Sequence, residues 1–189
     1  MSLIDRVKNI ILKPKEEWQV INAETNSGMP LIISYLVPLA AAAAIATFIG
    51  YAFVFGQGSF KSGLIMAVAM LIQLIISVYL TAFIADALAP SFASEKNMNK
   101  SIQLVVYAAT PAYVGSLLNI LPFIGWLGSL AGAIYSIYLF YLGMPILKKT
   151  PEDKVPVYMI VLILSLAIIY SIIRYILLNI LYTPVGIGI

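Results

Sequence analysis

The chain has 189 residues, 62% of them hydrophobic and 10% charged, with a net charge of +3 and a mean hydropathy of +1.00. Ordinary globular domains carry about 25% charged residues, so this composition cannot cover a water-soluble surface, and the 11 basic residues lie scattered among apolar runs instead of forming the basic stripe that nucleic acid requires. The absence of Cys and His excludes disulfides, thiolate nucleophiles, Cys/His zinc sites and imidazole bases, and no cofactor or catalytic site is expected.

Residues 1–29 interleave Asp5, Arg6, Lys8, Lys13, Lys15, Glu16 and Glu17 with apolar side chains, which is unlike the unbroken apolar core of a removable signal peptide. Leu3, Ile4, Val7, Ile10 and Ile11 recur at helical spacing, with Asp5, Arg6, Lys8 and Asn9 on the opposite face. A second short helix is expected near Lys13, because Pro14 suits a first helical position and Glu16 and Glu17 suit its positive end. Trp18 is placed at the lipid headgroup level, and the segment is read as an amphipathic interfacial anchor in preference to a docking surface.

Five apolar segments follow, at about 30–55, 62–89, 101–121, 123–147 and 156–182. Each has the ~20 residues needed to cross a hydrocarbon core of roughly 30 Å. The expected fold is all-α: a polytopic integral membrane protein with a five-helix transmembrane bundle over 30–182 and a short non-cytoplasmic tail over 183–189. The tight Leu121-Pro122 connection leaves a re-entrant hairpin as the alternative for the third and fourth segments. Arg6, Lys8, Lys13 and Lys15 precede the first segment, Lys96 and Lys100 lie in the second loop, and Lys148, Lys149 and Lys154 in the fourth, whereas the opposite side holds only Lys61. Positive charge is retained in the cytoplasm, so the N-terminus is assigned there.

Within the fourth segment Gly125, Gly128, Ser129, Gly132, Ser136 and Gly143 share one face at 100° per residue. Small residues spaced this way let helix backbones approach closely, and packing is preferred to pore lining. Gln73, Ser77 and Thr81 share a face of the second segment, and Gln103, Tyr107 and Thr110 a face of the third, beside Pro111. Two polar stripes of this kind either bond between helices or border a polar cavity opened by a proline kink. Asp86 and Arg174 are the ionisable residues inside the segments, and such groups are functional candidates by default. Asp86 falls near the cytoplasmic end of the second segment and Arg174 about 27 Å along the fifth, so the two are expected at opposite faces, each interfacial.

Four stretches together resemble the Ypt-interacting protein (Yip) family in its short bacterial form, from about Ile4 to Tyr175. They are Lys13-Pro14-Lys15-Glu16-Glu17-Trp18, Tyr35-Leu36-Val37-Pro38-Leu39, Asp86-Ala87-Leu88-Ala89-Pro90, and Tyr107 through Leu147 with Lys148 behind it. Eukaryotic members carry Asp-Leu-x-Gly-Pro near the end of the second span; Asp86 and Pro90 match it, and Ala89 replaces the glycine. The resemblance implies five spans, a cytoplasmic N-terminus and, for eukaryotic relatives, association with small GTPases in vesicle traffic. That association is not carried over, because the long cytosolic region of those relatives is reduced here to about 29 residues.

The leading expectation is a non-enzymatic scaffold or membrane-organising protein of a prokaryotic inner membrane, with the lipid bilayer and further copies of itself as partners. The alternative is a small transporter or channel with a polar path between the second and third helices and Asp86 as its working carboxylate. Intramembrane aspartyl chemistry ranks below both, since it needs two carboxylates held together and Asp86 stands alone within the segments.

Overall fold

A computed structural model of the chain describes residues 1–25, 28–54 and 60–182, without the side chains of Ser62, Pro122, Tyr170 and residues 173–182. The Arg174 side chain singled out above therefore lies outside the described residues. Every regular element among the described residues is a helix.

Helix α1 (Leu3–Leu12) starts at Ser2, whose hydroxyl accepts from the Asp5 amide at 3.1 Å and donates to the Asp5 carboxylate at 2.6 Å, a reciprocal cap. Helix α2 (Pro14–Ala23) has Pro14 in its first turn, where a missing N–H costs nothing. Helix α3 (Met29–Val54) contains two π-helical turns, Ile32–Leu36 and Gly50–Val54. The first comes immediately before Pro38, which has no N–H to return to the preceding turn, and the wider turn absorbs that break.

Helix α4 (Phe60–Leu88) tightens into a 3₁₀ turn at Ala89–Phe92 and stops at Ala93, which is left-handed with φ 53°. Helix α5 (Met98–Ile120) begins at the cap Asn97 and breaks at Ala109 (ψ −7°), where Pro111 restarts it. Helix α6 (Pro122–Lys148) ends at Lys149, again left-handed with φ 51°. Helix α7 (Val155–Tyr182) closes the described chain. Four of these helices contain stretches long and apolar enough to cross a membrane, namely Met29–Val54, Gly63–Phe92, Met98–Ile120 and Phe123–Lys148. The apolar part of α7 for which side chains are described, Val155–Ile169, is shorter.

The closest packing joins α5 to α6 across the Leu121-Pro122 turn. Gly128 faces Gly115, and Gly132 faces Pro111 and Ala112, so the two backbones touch: a Cβ built on Gly132 would lie 2.8 Å from the Ala112 Cα. Gly125 lies against Asn119 in the same way, and Gly143 against Leu104 and the Trp18 ring. Apolar side chains such as Ile45, Phe83, Phe123, Ile134 and Ile168 point outward, as lipid-facing residues do. The buried apolar core runs from α4 and α7 through α5 and α6 to the place where α1 and α2 fold onto the bundle and bury Ile10, Trp18 and Ile21 completely.

Trp18, read from the sequence as a residue of the headgroup level, faces protein in this docking and not lipid. Its indole is fully buried, with the Gly143 backbone and Leu104 beneath it and Tyr107 edge-on at 6.5 Å. The reason is local: Gly143 leaves a side-chain-free notch on α6, and a large ring gains more contact there than at the lipid boundary.

The Gly132 geometry makes a direct prediction. Gly132→Leu forces α5 and α6 apart at a cost of about 1–3 kcal/mol or more, and lowers the melting temperature in detergent, whereas Ala131→Leu on the exposed neighbouring face leaves it near wild type. Equal melting of the two variants would disprove the contact.

Candidate functional site

The densest polar constellation is built from the ends of three helices that meet at the end of the bundle where α1 and α2 dock. Asp86 lies in the last turn of α4, where the helix dipole disfavours a negative charge. Its Oδ1 accepts from the Lys148 Nζ at 2.7 Å, from the Asn97 amide at 2.7 Å and from the Ser101 hydroxyl at 3.1 Å. Lys148 is the final residue of α6, fully buried, and its ammonium has three donors. They go to Asp86, to the Ser101 hydroxyl at 2.7 Å and to the Asn97 carbonyl at 3.3 Å, so the cation is saturated.

The backbone repeats the same link. The Lys148 carbonyl, one of those a helix C-terminus leaves unpaired, accepts from the Glu95 amide at 2.6 Å and from the Ser94 hydroxyl at 3.0 Å. Ser94 also meets Thr150 at 2.8 Å. Tyr158 of α7 donates its hydroxyl to the Ala85 carbonyl and stacks on Phe92 with the rings 4.5 Å apart and 7° from parallel. Outside the spans, the exposed Lys149 bonds to Glu95 at 2.8 Å, which holds the Glu95 carboxyl below the usual carboxylate range. The ends of α4, α5, α6 and α7 are thus tied together around one buried charge pair.

A second polar cluster joins α1 and α2 to the bundle. Arg6 pairs with Glu17 and Glu24, and its guanidinium lies 5.4 Å from the Tyr107 ring centroid. Tyr107 packs at 4.8 Å on Tyr35, whose hydroxyl meets that of Thr110 at 2.9 Å. Gln103 donates to the Glu24 carbonyl at 3.2 Å, Lys100 to the Asn22 carbonyl at 2.7 Å and Tyr135 to the Ile11 carbonyl at 2.7 Å.

These contacts place the two polar stripes apart. Gln103, Tyr107 and Thr110 of α5 are turned toward α1, α2 and α3, so they do not meet the stripe of α4. Ser77 donates to the Leu74 carbonyl of its own helix and, with Thr81 and Ser136, lines a mostly apolar recess of about 220 Å³ between α4, α5, α6 and α7. Gln73 is exposed and borders a separate cleft of about 480 Å³ with Thr47, Tyr51, Asn119 and Ser129. Pro111, beside which a kink-opened cavity is the alternative to bonding between helices, is buried against Gly132, because the helix break at Ala109 lets its carbonyl face the glycine.

Charge places Lys148 in a loop, whereas the structure buries it as the last residue of α6. The signal was present in the topology: α4 and α6 run the same way, so Asp86 near the end of one and Lys148 at the end of the other reach the same level. Asn97 and Ser101, spaced one turn apart behind Asp86, were the remaining clue.

The Yip1 domain profile matches residues 8–174, from the middle of α1 into α7. The chain belongs to the Yip1 family. It is a multi-pass membrane protein, and the matched region contains the second half of α1, all of α2 and the Asp86–Lys148 pair. Neither a curated protein nor a solved structure matches it. In this Yip1 chain Asp86 and Pro90 have separate duties: the carboxylate anchors Lys148, and the proline sits in the 3₁₀ turn that ends α4. Ala89, where the eukaryotic pattern has glycine, is fully buried.

Removing one member of a buried pair leaves the other charged and unpaired, at about 3–5 kcal/mol. Asp86→Ala and Lys148→Met are each expected to lower thermal stability in detergent strongly. The double variant should lose less than the two losses combined, by about 0.5–3 kcal/mol. Simple additivity in that cycle would mean that the pair is not coupled.

Proposed function

We propose that this Yip1 protein is a non-enzymatic scaffold that organises the membrane around it. It crosses a prokaryotic inner membrane five times, keeps its N-terminus in the cytoplasm and associates with further copies of itself. The observation that carries this reading is the docking of α1 and α2. Their inner face is bolted to the bundle through Trp18, Arg6 and Tyr135, while Met1, Ile4 and Leu12 remain exposed beside the exposed Lys8, Lys13 and Lys15. Apolar side chains held rigidly at the end of a membrane bundle, with three exposed lysines against the two exposed acids Asp5 and Glu16, suit contact with headgroups and the outer part of the acyl chains. The glycine face of α6 is used inside the chain, so self-association draws on other surfaces.

The Lys148 ammonium is saturated and α5 and α6 meet backbone to backbone, which supports a structural role. A GTPase role is not proposed. The second reading is a small transporter or channel between α4 and α5, and the more polar cleft that Gln73 of α4 shares with Ser116 and Asn119 of α5 favours it.

Reconstitution separates the two. Wild-type protein at high density is expected to change the size distribution of vesicles containing anionic lipid, and Trp18→Ala, which frees the docked segment, is expected to weaken that effect. Solute flux through the same vesicles that disappears in Asp86→Asn, with vesicle shape unaltered by wild type, would reverse the ranking. Because the chain has no Cys, single thiols introduced at residue 2 and in the C-terminal tail report topology cleanly, and labelling of both from one side would contradict five crossings.

A further inference from the structure

The recess between α4, α5, α6 and α7 lies at half-depth in the bundle. Ser77 is midway along the span Gly63–Phe92, Ala108 and Ala109 midway along Met98–Ile120, and Ser136 midway along Phe123–Lys148. Its mouth is bordered by Ile137 and Ile163, which are 50% and 46% exposed and belong to the lipid-facing surface. The opening is therefore sideways, continuous with the hydrocarbon of the bilayer, and no described charged side chain lines it.

The volume of about 220 Å³ must be filled by something. An engineered apolar cavity of about 150 Å³ stays dry and takes up benzene, because water needs two to four polar partners that apolar walls do not supply. Here the walls are Val105, Ala108, Phe140, Leu162 and similar groups. Ser77, Thr81, Tyr113 and Ser136 bring hydroxyls to the lining, but that of Ser77 is spent on the Leu74 carbonyl, and the unpartnered Ser136 Oγ alone falls short of the two to four partners a water needs. A headgroup lies too far away, since half-depth in the bilayer is roughly 15 Å from either edge of the hydrocarbon. Hydrocarbon meets every condition: it is present at that depth, it needs no polar partner, and it restores the dispersion contacts that an empty recess forfeits.

We propose that this recess is a binding site for the terminal part of a membrane lipid's acyl chain, entered sideways between Ile137 of α6 and Ile163 of α7. The acyl chain fills there the space that the four helices α4, α5, α6 and α7 leave between them. The site is independent of the scaffold reading and incompatible with a water-filled path at the same place.

The test uses the full chain in bilayers containing a phospholipid with a photoactivatable diazirine at the end of one acyl chain. Crosslinks are expected on lining residues such as Ala109 and Phe140, with about tenfold preference over the fully lipid-facing Ile134 and Ile168. Ala109→Phe fills the recess and is expected to abolish that preference while retaining or raising the melting temperature. If Ala109→Phe does not fold, Thr81→Leu fills the same space from α4. Ser136→Cys, the sole thiol in an otherwise cysteine-free chain, is expected to resist a charged, membrane-impermeant thiosulfonate that labels Glu152→Cys fully. Crosslinking no greater than at Ile134, a preference unaffected by the filling variants, or rapid reaction of Ser136→Cys with the charged reagent would each overturn the proposal.

Discussion

The arrangement of the bundle depends on one contact, the carboxylate of Asp86 against the ammonium of Lys148. Neither charge is tolerable alone at the edge of a hydrocarbon layer, and the pair is tolerated because Asn97 and Ser101 complete the bonding of the Lys148 ammonium and add two donors to the Asp86 Oδ1. Such a pair adds little net stability compared with an apolar replacement of equal volume, but any other register of α4 against α6 would bury one charge without the other. Its contribution is selection among packings. Bilayers offer no hydrophobic force to choose between helix arrangements, so a penalty against wrong registers has more weight here than in a soluble core.

The glycines complete that selection in a second direction. Gly115, Gly128 and Gly132 let α5 and α6 touch backbone to backbone, which sets their separation, while the Lys148 carbonyl accepting from Glu95 and Ser94 sets their relative height. Gly143 does a different job on the same face: it admits Trp18, and through it the whole of α1 and α2. One face of one helix therefore serves two contacts, with another span and with the N-terminal segment.

Much of this was legible in the amino-acid sequence, because membrane helices announce themselves by length and hydropathy. The helical pattern of Leu3 to Ile11, the proline at the start of α2 and the glycine spacing of α6 needed no tertiary information. What resisted was partner choice. The apolar face of α1 and α2 reads identically whether it meets lipid or protein, since both are apolar, and only the notch at Gly143 distinguishes the two for Trp18. Lys148 was misplaced for a related reason: a lysine that follows an apolar span is usually solvated, and sequence position carries no record of which lysine is buried. The stripes on α4 and α5 show the third limit, because periodicity assigns residues to a face without saying which neighbour that face meets.

Polarity is distributed along the molecule in a way that bears on mechanism. The hydrogen-bonded charges gather where α1 and α2 dock, at Arg6, Glu17, Glu24, Asp86 and Lys148, and each has its partner within the chain. Around the recess at half-depth the polar groups are hydroxyls alone, and the recess opens to lipid instead of to either end. An ion crossing along α4 and α5 would leave the saturated cluster and then meet apolar walls with no compensating charge. A hydrocarbon chain entering from the side would meet surfaces of its own kind. The physical asymmetry thus favours a protein that engages the bilayer at two levels, its headgroups through the exposed face of α1 and α2 and its interior through the recess, over one that conducts solutes across it.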